Sequence, residues 1–254
     1  MIVDVLRHAS ADVLAETVAG RTVTTLVERV AESGTAHLCV TGGGIGTAVL
    51  DALRHSPAVD SIDWPRVHVW WGDERFLPAG DPDRNETAAR SALLDHVGIP
   101  RQNIHAMPSL GQVQDVDAGA RAYVQELAAH ARPDAAVPAM DILMLGIGPD
   151  GHVASLFPEM PALHDDRPVV GVHGSPKPPP LRMTMTLPTI CAAQQVWILA
   201  SGSAKADAVR LALTDSAGPL QIPAAGARGS VRTLFCLDEA AASALPPELG
   251  RPSA

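Results

Sequence analysis

Residues 142–152 read Ile142-Leu143-Met144-Leu145-Gly146-Ile147-Gly148-Pro149-Asp150-Gly151-His152. Four apolar residues in a row, without alternation, predict a strand that has no solvent-facing side, as in a parallel sheet covered on both faces. The glycines and the proline end that strand in a turn. A second run of the same kind, Val196-Trp197-Ile198-Leu199, sits in a strand predicted over 195–200. Working outward, short apolar strands are predicted over 37–40, 67–71 and 233–237, and helices over 12–33, 47–54, 86–97, 118–131 and 204–213. The first helix sets Val23, Leu26, Val27 and Val30 on one face, with Ser10 or Asp12 as its cap and Gly34 as its stop. Strands alternating with helices predict an α/β fold: a mostly parallel sheet with helices on both faces.

Composition sets limits on function. A chain of 254 residues, 46% of them hydrophobic, buries about three quarters of its unfolded surface without disulfides or metals. Its most apolar stretch, 140–147, contains Asp141 and Gly146, far short of the roughly 20 apolar residues of a membrane span. A net charge of −9 argues against a nucleic-acid surface, so an anionic ligand must be held by a few local cations. Cys39, Cys191 and Cys236 are odd in number and set in apolar surroundings, and the first residues lack a basic stretch followed by a long apolar one. Both features predict a cytoplasmic location with reduced thiols. Residues 1–243 are expected to form a single α/β catalytic domain, with the Pro-rich run 175–180 as a surface loop and 244–254 as a frayed tail.

In an open parallel sheet, ligands bind beyond the carboxyl ends of the strands, and three turns there carry unusual residues. Thr41-Gly42-Gly43-Gly44-Ile45-Gly46 could present backbone N–H groups to a phosphate at a helix N-terminus. It fits neither the dinucleotide fingerprint nor the P-loop. Gly72-Asp73-Glu74-Arg75 offers a guanidinium that could clamp an anion, with Asp73 or Glu74 to orient it; a solvated ion pair is the plainer reading. In the third turn, His152 is exposed between glycines at the sheet edge, where it could act as a general base with Asp150 fixing its tautomer. No two histidines are three or four apart and no C-x-x-C occurs, so neither a metal nor another cofactor is expected. The absence of G-x-S-x-G disfavours a serine hydrolase.

Taken in order, Gly72-Asp73-Glu74-Arg75, Asn85, the run from Gly146 through Ala154-Ser155-Leu156-Phe157-Pro158, Arg182-Met-Thr-Met-Thr186 and Gly202-Ser-Ala-Lys205 resemble the glucosamine-6-phosphate isomerase/6-phosphogluconolactonase family over residues 10–240. The resemblance implies a fold shared with the sugar-phosphate deaminases and isomerases. Deaminases continue past D-G-H with an acidic F-N-E-P-like stretch. Here Ala154 to Pro158 follow instead, which points to the lactonase branch. The family's glycine loop commonly reads S-G-G-S/T-x-P; this chain has Gly44 and Gly46 at its fourth and sixth positions, which keeps a backbone cradle but removes a hydroxyl.

The implied activity is hydrolysis of 6-phospho-D-glucono-1,5-lactone to 6-phosphogluconate in the oxidative pentose phosphate pathway. His152 would deprotonate water and Asp150 or Asp73 would steady the imidazolium. Arg75 or backbone N–H groups of the 146–151 turn would hold the oxyanion. The amides of Gly42, Gly43 and Gly44, with Arg182 and Lys205, would anchor the phosphate. The expected partner is a small-molecule sugar phosphate lactone, with no nucleic acid or membrane, and the chain is expected to be a monomer or weak homodimer. The alternatives are a sugar-phosphate deaminase or isomerase, or a non-enzymatic sugar-phosphate sensor.

Overall fold

The computed structural model describes residues 2–214, 217–246, 249 and 251–252. In chain order the first half contains β1 (Ile2–His8), α1 (Ala11–Ser33), β2 (Ala36–Val40), α2 (Gly43–His55), β3 (Val67–Trp71), β4 (Asp73–Arg75), α3 (Asn85–Ala92) and α4 (Val116–Ala129). The second half contains β5 (Ile142–Gly146), β6 (Val169–Val172), β7 (Arg182–Met185), α5 (Leu187–Cys191), β8 (Gln195–Ala200), α6 (Ala206–Leu213), α7 (Pro223–Gly226), β9 (Arg232–Asp238) and β10 (Arg251–Pro252).

Seven strands form one parallel sheet in the order β10-β1-β9-β8-β5-β2-β3. The non-alternating runs are buried from both sides, as predicted. Leu143 and Leu145 pack into one core cluster with Trp70, Ile198 and Phe235, while Ile142 and Met144 face a second with Trp71, Trp197 and Leu50. A three-stranded antiparallel sheet, β4-β7-β6, stands beside it. Strand order reverses where β2 meets β5: the chain runs outward from β2 to β3 on one side and from β5 through β8 to β9 on the other. The crevice beyond that switch point is where this architecture binds ligands.

Several expectations need correction. α2 begins at Gly43, four residues before the predicted start, so three of the loop's glycines lie in its first turn. In α1, Ser10 is the cap and left-handed Gly34 the stop, and Leu26 is buried, but Val27 is 37% exposed and does not share that face. β1 and the second sheet were not predicted. The expected frayed tail falls partly outside the described residues; within them Leu245 is buried in the core and Arg251–Pro252 pair with β1. No helix among the described residues is long and apolar enough to cross a membrane.

Candidate active site

The carboxyl ends of β2, β3, β5 and β8 release the segments 41–43, 72–75, 147–152 and 201–205, and these meet at the switch point. Thr41 ties two of them together, its Oγ1 accepting from the Gly146 N–H at 3.2 Å. The resulting cavity of about 240 Å³ is lined by Gly42, Gly43, Asp73, Arg75, His152, Arg182 and Lys205, among others. Asp150 stands at its rim against His152. Gly44 lies to one side, in an adjoining hollow that it shares with Gly42, Gly43 and Lys205. A wider groove of about 550 Å³ between α1 and α2 carries Asp12, Glu16 and Asp51, an acidic lining that repels phosphate. Charge, not size, separates the two.

The His152 ring rests on Phe157, centroids 4.5 Å apart, and its Nδ1 lies 2.5 Å from Asp150 Oδ1. A carboxylate only accepts, so Nδ1 carries the proton and Nε2 keeps its lone pair. Burial lowers the His152 pKa below its ordinary value, against the upward pull of the Asp150 hydrogen bond and charge. The ring is therefore neutral at pH 7. Burial alone would raise Asp150, but the His152 hydrogen bond and the charges of His152 and Lys177 outweigh it and hold the carboxyl below the usual range. Gly148 makes the dyad possible, because a Cβ there would fall 2.0 Å from His152 Nδ1 and 2.4 Å from Asp150 Oδ1.

The 72–75 turn divides its labour by alternation. Asp73 faces the cavity, its Oδ2 accepting from the Ser155 hydroxyl at 2.6 Å and its carbonyl from the Asn85 amide at 2.9 Å. The carboxylate hydrogen-bonded to the His152 ring is that of Asp150, while Asp73 acts on it only through its charge. Glu74 points the other way and is fully buried. Its two oxygens accept from the backbone N–H groups of Arg75, Asn85 and Glu86, which caps α3, and Arg84 stands 3.7 Å away. Burial pushes the Glu74 carboxyl up against the opposing pull of Arg84 and the three amides. Glu74 therefore builds the scaffold instead of orienting an anion. Arg75 donates to the Asp83 carbonyl at 2.5 Å, while its buried Nε has no hydrogen-bond partner among the described residues.

The amide groups fall into two classes. Those of Gly146, Gly148 and Gly151 are spent on Thr41 Oγ1, the His152 carbonyl and the Gly148 carbonyl. At the α2 N-terminus, by contrast, Gly42 supplies no side-chain cap to the first amides of the helix, and Gly42 and Gly43 line the cavity. Gly42 must be glycine for a local reason: a Cβ would lie 1.9 Å from Asn85 Oδ1. Two further cations complete the wall. Arg182 is buried and donates to the carbonyls of Lys177, Pro178 and Pro179, which folds the Pro-rich loop onto the site. Burial lowers the pKa of both Arg182 and Lys205.

Sequence reasoning overlooked Lys177, whose ammonium lies 3.9 Å from Asp150 Oδ1. The signal was available: Lys177 is five residues before Arg182, but the prolines around it read as a plain surface loop. Ser155, inside the quoted motif, went without a role.

A family model described as glucosamine-6-phosphate isomerases/6-phosphogluconolactonase matches residues 9–235. The chain belongs to this family. It is 53% identical over 251 residues to a 6-phosphogluconolactonase of Streptomyces coelicolor, covering 97% of this chain and 96% of that one. A 6-phosphogluconolactonase of Mycobacterium tuberculosis is 48% identical, with 92% and 95% covered. Among solved structures of the family fold, the 6-phosphogluconolactonase of Trypanosoma brucei matches with a TM-score of 0.82 at 25% identity, covering 96% and 98% of the two chains. A monomeric glucosamine-6-phosphate deaminase matches at 0.78 and 23% identity, covering 95% and 99%, so family and fold alone do not choose the reaction.

Proposed function

We propose that the chain hydrolyses 6-phospho-D-glucono-1,5-lactone to 6-phosphogluconate, the lactonase step of the oxidative pentose phosphate pathway. One observation carries this reading: a neutral His152, its Nδ1 held by Asp150 and its Nε2 unengaged, lines a cavity walled by Arg75, Arg182 and Lys205. The full-length likeness to bacterial 6-phosphogluconolactonases supports it, and a cytoplasmic location is part of the same proposal.

The substrate's phosphate sits against the amides of Gly42 and Gly43 with Lys205 and Arg182, and the lactone ring reaches toward His152. Anchoring the far end positions the reacting carbon without chemical participation. His152 Nε2 takes a proton from water as the water oxygen adds to C1. Arg75, whose guanidinium lines the cavity, faces the developing oxyanion, and the Gly146, Gly148 and Gly151 amides are engaged elsewhere. The C1–ring-oxygen bond then breaks and the imidazolium returns its proton to the departing oxygen. A lactone carbonyl is electrophilic enough that a positioned base suffices, for about 10²–10⁴-fold.

The test is a spectrophotometric assay with freshly generated lactone, corrected for spontaneous hydrolysis, beside a coupled assay with glucosamine 6-phosphate. Lactone consumption above background without ammonia release is expected. Ammonia release without lactone turnover would replace this reading with a deaminase.

A further inference from the structure

Three histidines distant in sequence converge at the far side of β3 from the active site. His68 is the second residue of β3, His105 follows the bridge between Val69 and Ile104, and His130 closes the C-terminus of α4. One nitrogen from each ring lies within 4.8 Å of the other two, the one such group of three or more His, Cys, Asp or Glu among the described residues. Spacing along the chain gave no sign of it, because each ring comes from a different element.

The hydrogen bonds around the group fix its protons. His105 Nδ1 donates to Glu126 Oε1 at 2.7 Å, so its Nε2 carries the lone pair, and that atom lies 2.9 Å from His68 Nδ1. His130 Nδ1 donates to the Glu126 backbone carbonyl at 3.1 Å, which leaves Nε2 as its lone-pair atom. The rings are held in place by packing: Trp70 stacks on His105 with centroids 3.8 Å apart, His37 stacks on His68 at 5.1 Å, and the Trp70 indole N–H donates to His37 Nδ1. The buried His105 side chain thus has a half-exposed carboxylate on its outer nitrogen and its lone pair aimed at two more imidazoles. Filling a core needs no such carboxylate; a metal-binding imidazole does, because the carboxylate sets the tautomer and raises the basicity of the ligating nitrogen.

We propose that His68, His105 and His130 bind one divalent transition-metal ion of the Zn²⁺ class, with Glu126 as the outer partner of His105. Three neutral imidazoles suit Zn²⁺ and its neighbours, not Mg²⁺ or Ca²⁺, and the fourth position is left to water. Binding requires His68 to shift its proton from Nδ1 to Nε2, after which the metal replaces the His68–His105 hydrogen bond with no net change in charge on either ring. His130, with its side chain 30% exposed, provides the route from solvent.

The experiment takes the full chain, stripped with a chelator, and titrates it with Zn²⁺ by calorimetry and with Co²⁺ by visible absorption. One ion per chain is expected, with the intense visible bands of a low-coordinate Co²⁺ site and quenching of Trp70 fluorescence. His130→Ala and His105→Ala should abolish binding, and Glu126→Ala should weaken it about 10- to 100-fold. His152→Ala should leave it unchanged, and lactone hydrolysis by His130→Ala should equal that of the parent. Because His130 and Glu126 are partly exposed, their variants decide the matter even if His105→Ala does not fold. Absence of stoichiometric binding, binding that survives both His130→Ala and Glu126→Ala, or binding that is lost with His152→Ala would overturn the proposal.

Discussion

At the scale of single residues the site turns on where one proton sits. Asp150 holds the His152 Nδ1 proton and thereby points the Nε2 lone pair at the cavity. His152→Ala removes the base, so kcat should fall by about 10²–10⁴-fold with KM little changed; kcat near that of the parent would remove His152 from its role. The pH dependence has a defined sign. Burial lowers the His152 pKa below 6.5, so activity should be level above that pH and decline below it as the ring is protonated. Asp150 is the main group pulling that pKa up. Asp150→Ala should therefore lower kcat and also move the acid limb to lower pH, whereas loss of rate with an unmoved limb would show that Asp150 does not couple to the ring. Gly148 and Gly42 are glycines for the same kind of reason, close approach of a functional side chain, and neither could be told from a turn glycine by sequence alone.

At the scale of elements, Glu74 shows how the second sheet is tied to a helix. Its carboxylate receives three backbone N–H groups around the start of α3 and sits beside buried Arg84, so β4 and α3 are fixed to each other through one side chain. Glu74→Ala leaves those amides and the guanidinium short of partners, and should cost about 3–5 kcal/mol in urea unfolding; a loss below about 1 kcal/mol would mean that other contacts hold α3. The elements that the sequence revealed were those with a continuous apolar signal. β5 and β8 could be read because all their residues but Gly146 and Gln195 are buried, and α1 because cap and stop flank it. β1 escaped notice because Asp4 and Arg7 interrupt it; Asp4 is paired with Arg232 of β9 across the strand boundary. β4, with the sequence Asp73-Glu74-Arg75, has no hydrophobic residue at all and is a strand only because β7 lies alongside. The start of α2 is misplaced because glycine propensity argues against a helix over 43–46. The site residues were legible as types at strand ends, but Lys177 was hidden by the prolines around it, and the His68, His105 and His130 group by its dispersal over three elements.

At the scale of the whole molecule, the cavity is made from five segments, near 41–43, 73–85, 146–152, 177–182 and 205, that only the completed fold brings together. A chain of net charge −9 has no attractive long-range field for a phosphorylated sugar, so affinity depends on Arg75, Lys177, Arg182 and Lys205 standing together against only Asp73 and Asp150. A ligand that bridges these segments binds the folded chain and not the unfolded one, so it must raise the unfolding temperature. With 6-phosphogluconate at one hundred times its Kd, the gain is about 2.7 kcal/mol, which for a chain of this size means a rise in Tm of about 5–10 °C. Lys205 contributes a charge-assisted contact to the phosphate, and its removal should weaken binding by about 10- to 100-fold. Lys205→Ala should accordingly need that much more 6-phosphogluconate for the same rise in Tm and show a raised KM, while its Tm without ligand stays near that of the parent, since no hydrogen bond or ion pair of its ammonium to another described residue is lost. Gluconate without the phosphate should give no rise at equal concentration. A Lys205→Ala protein that is stabilised at the same concentrations as the parent would place the phosphate elsewhere in the cleft, against Arg75 or Lys177 instead of the α2 N-terminus.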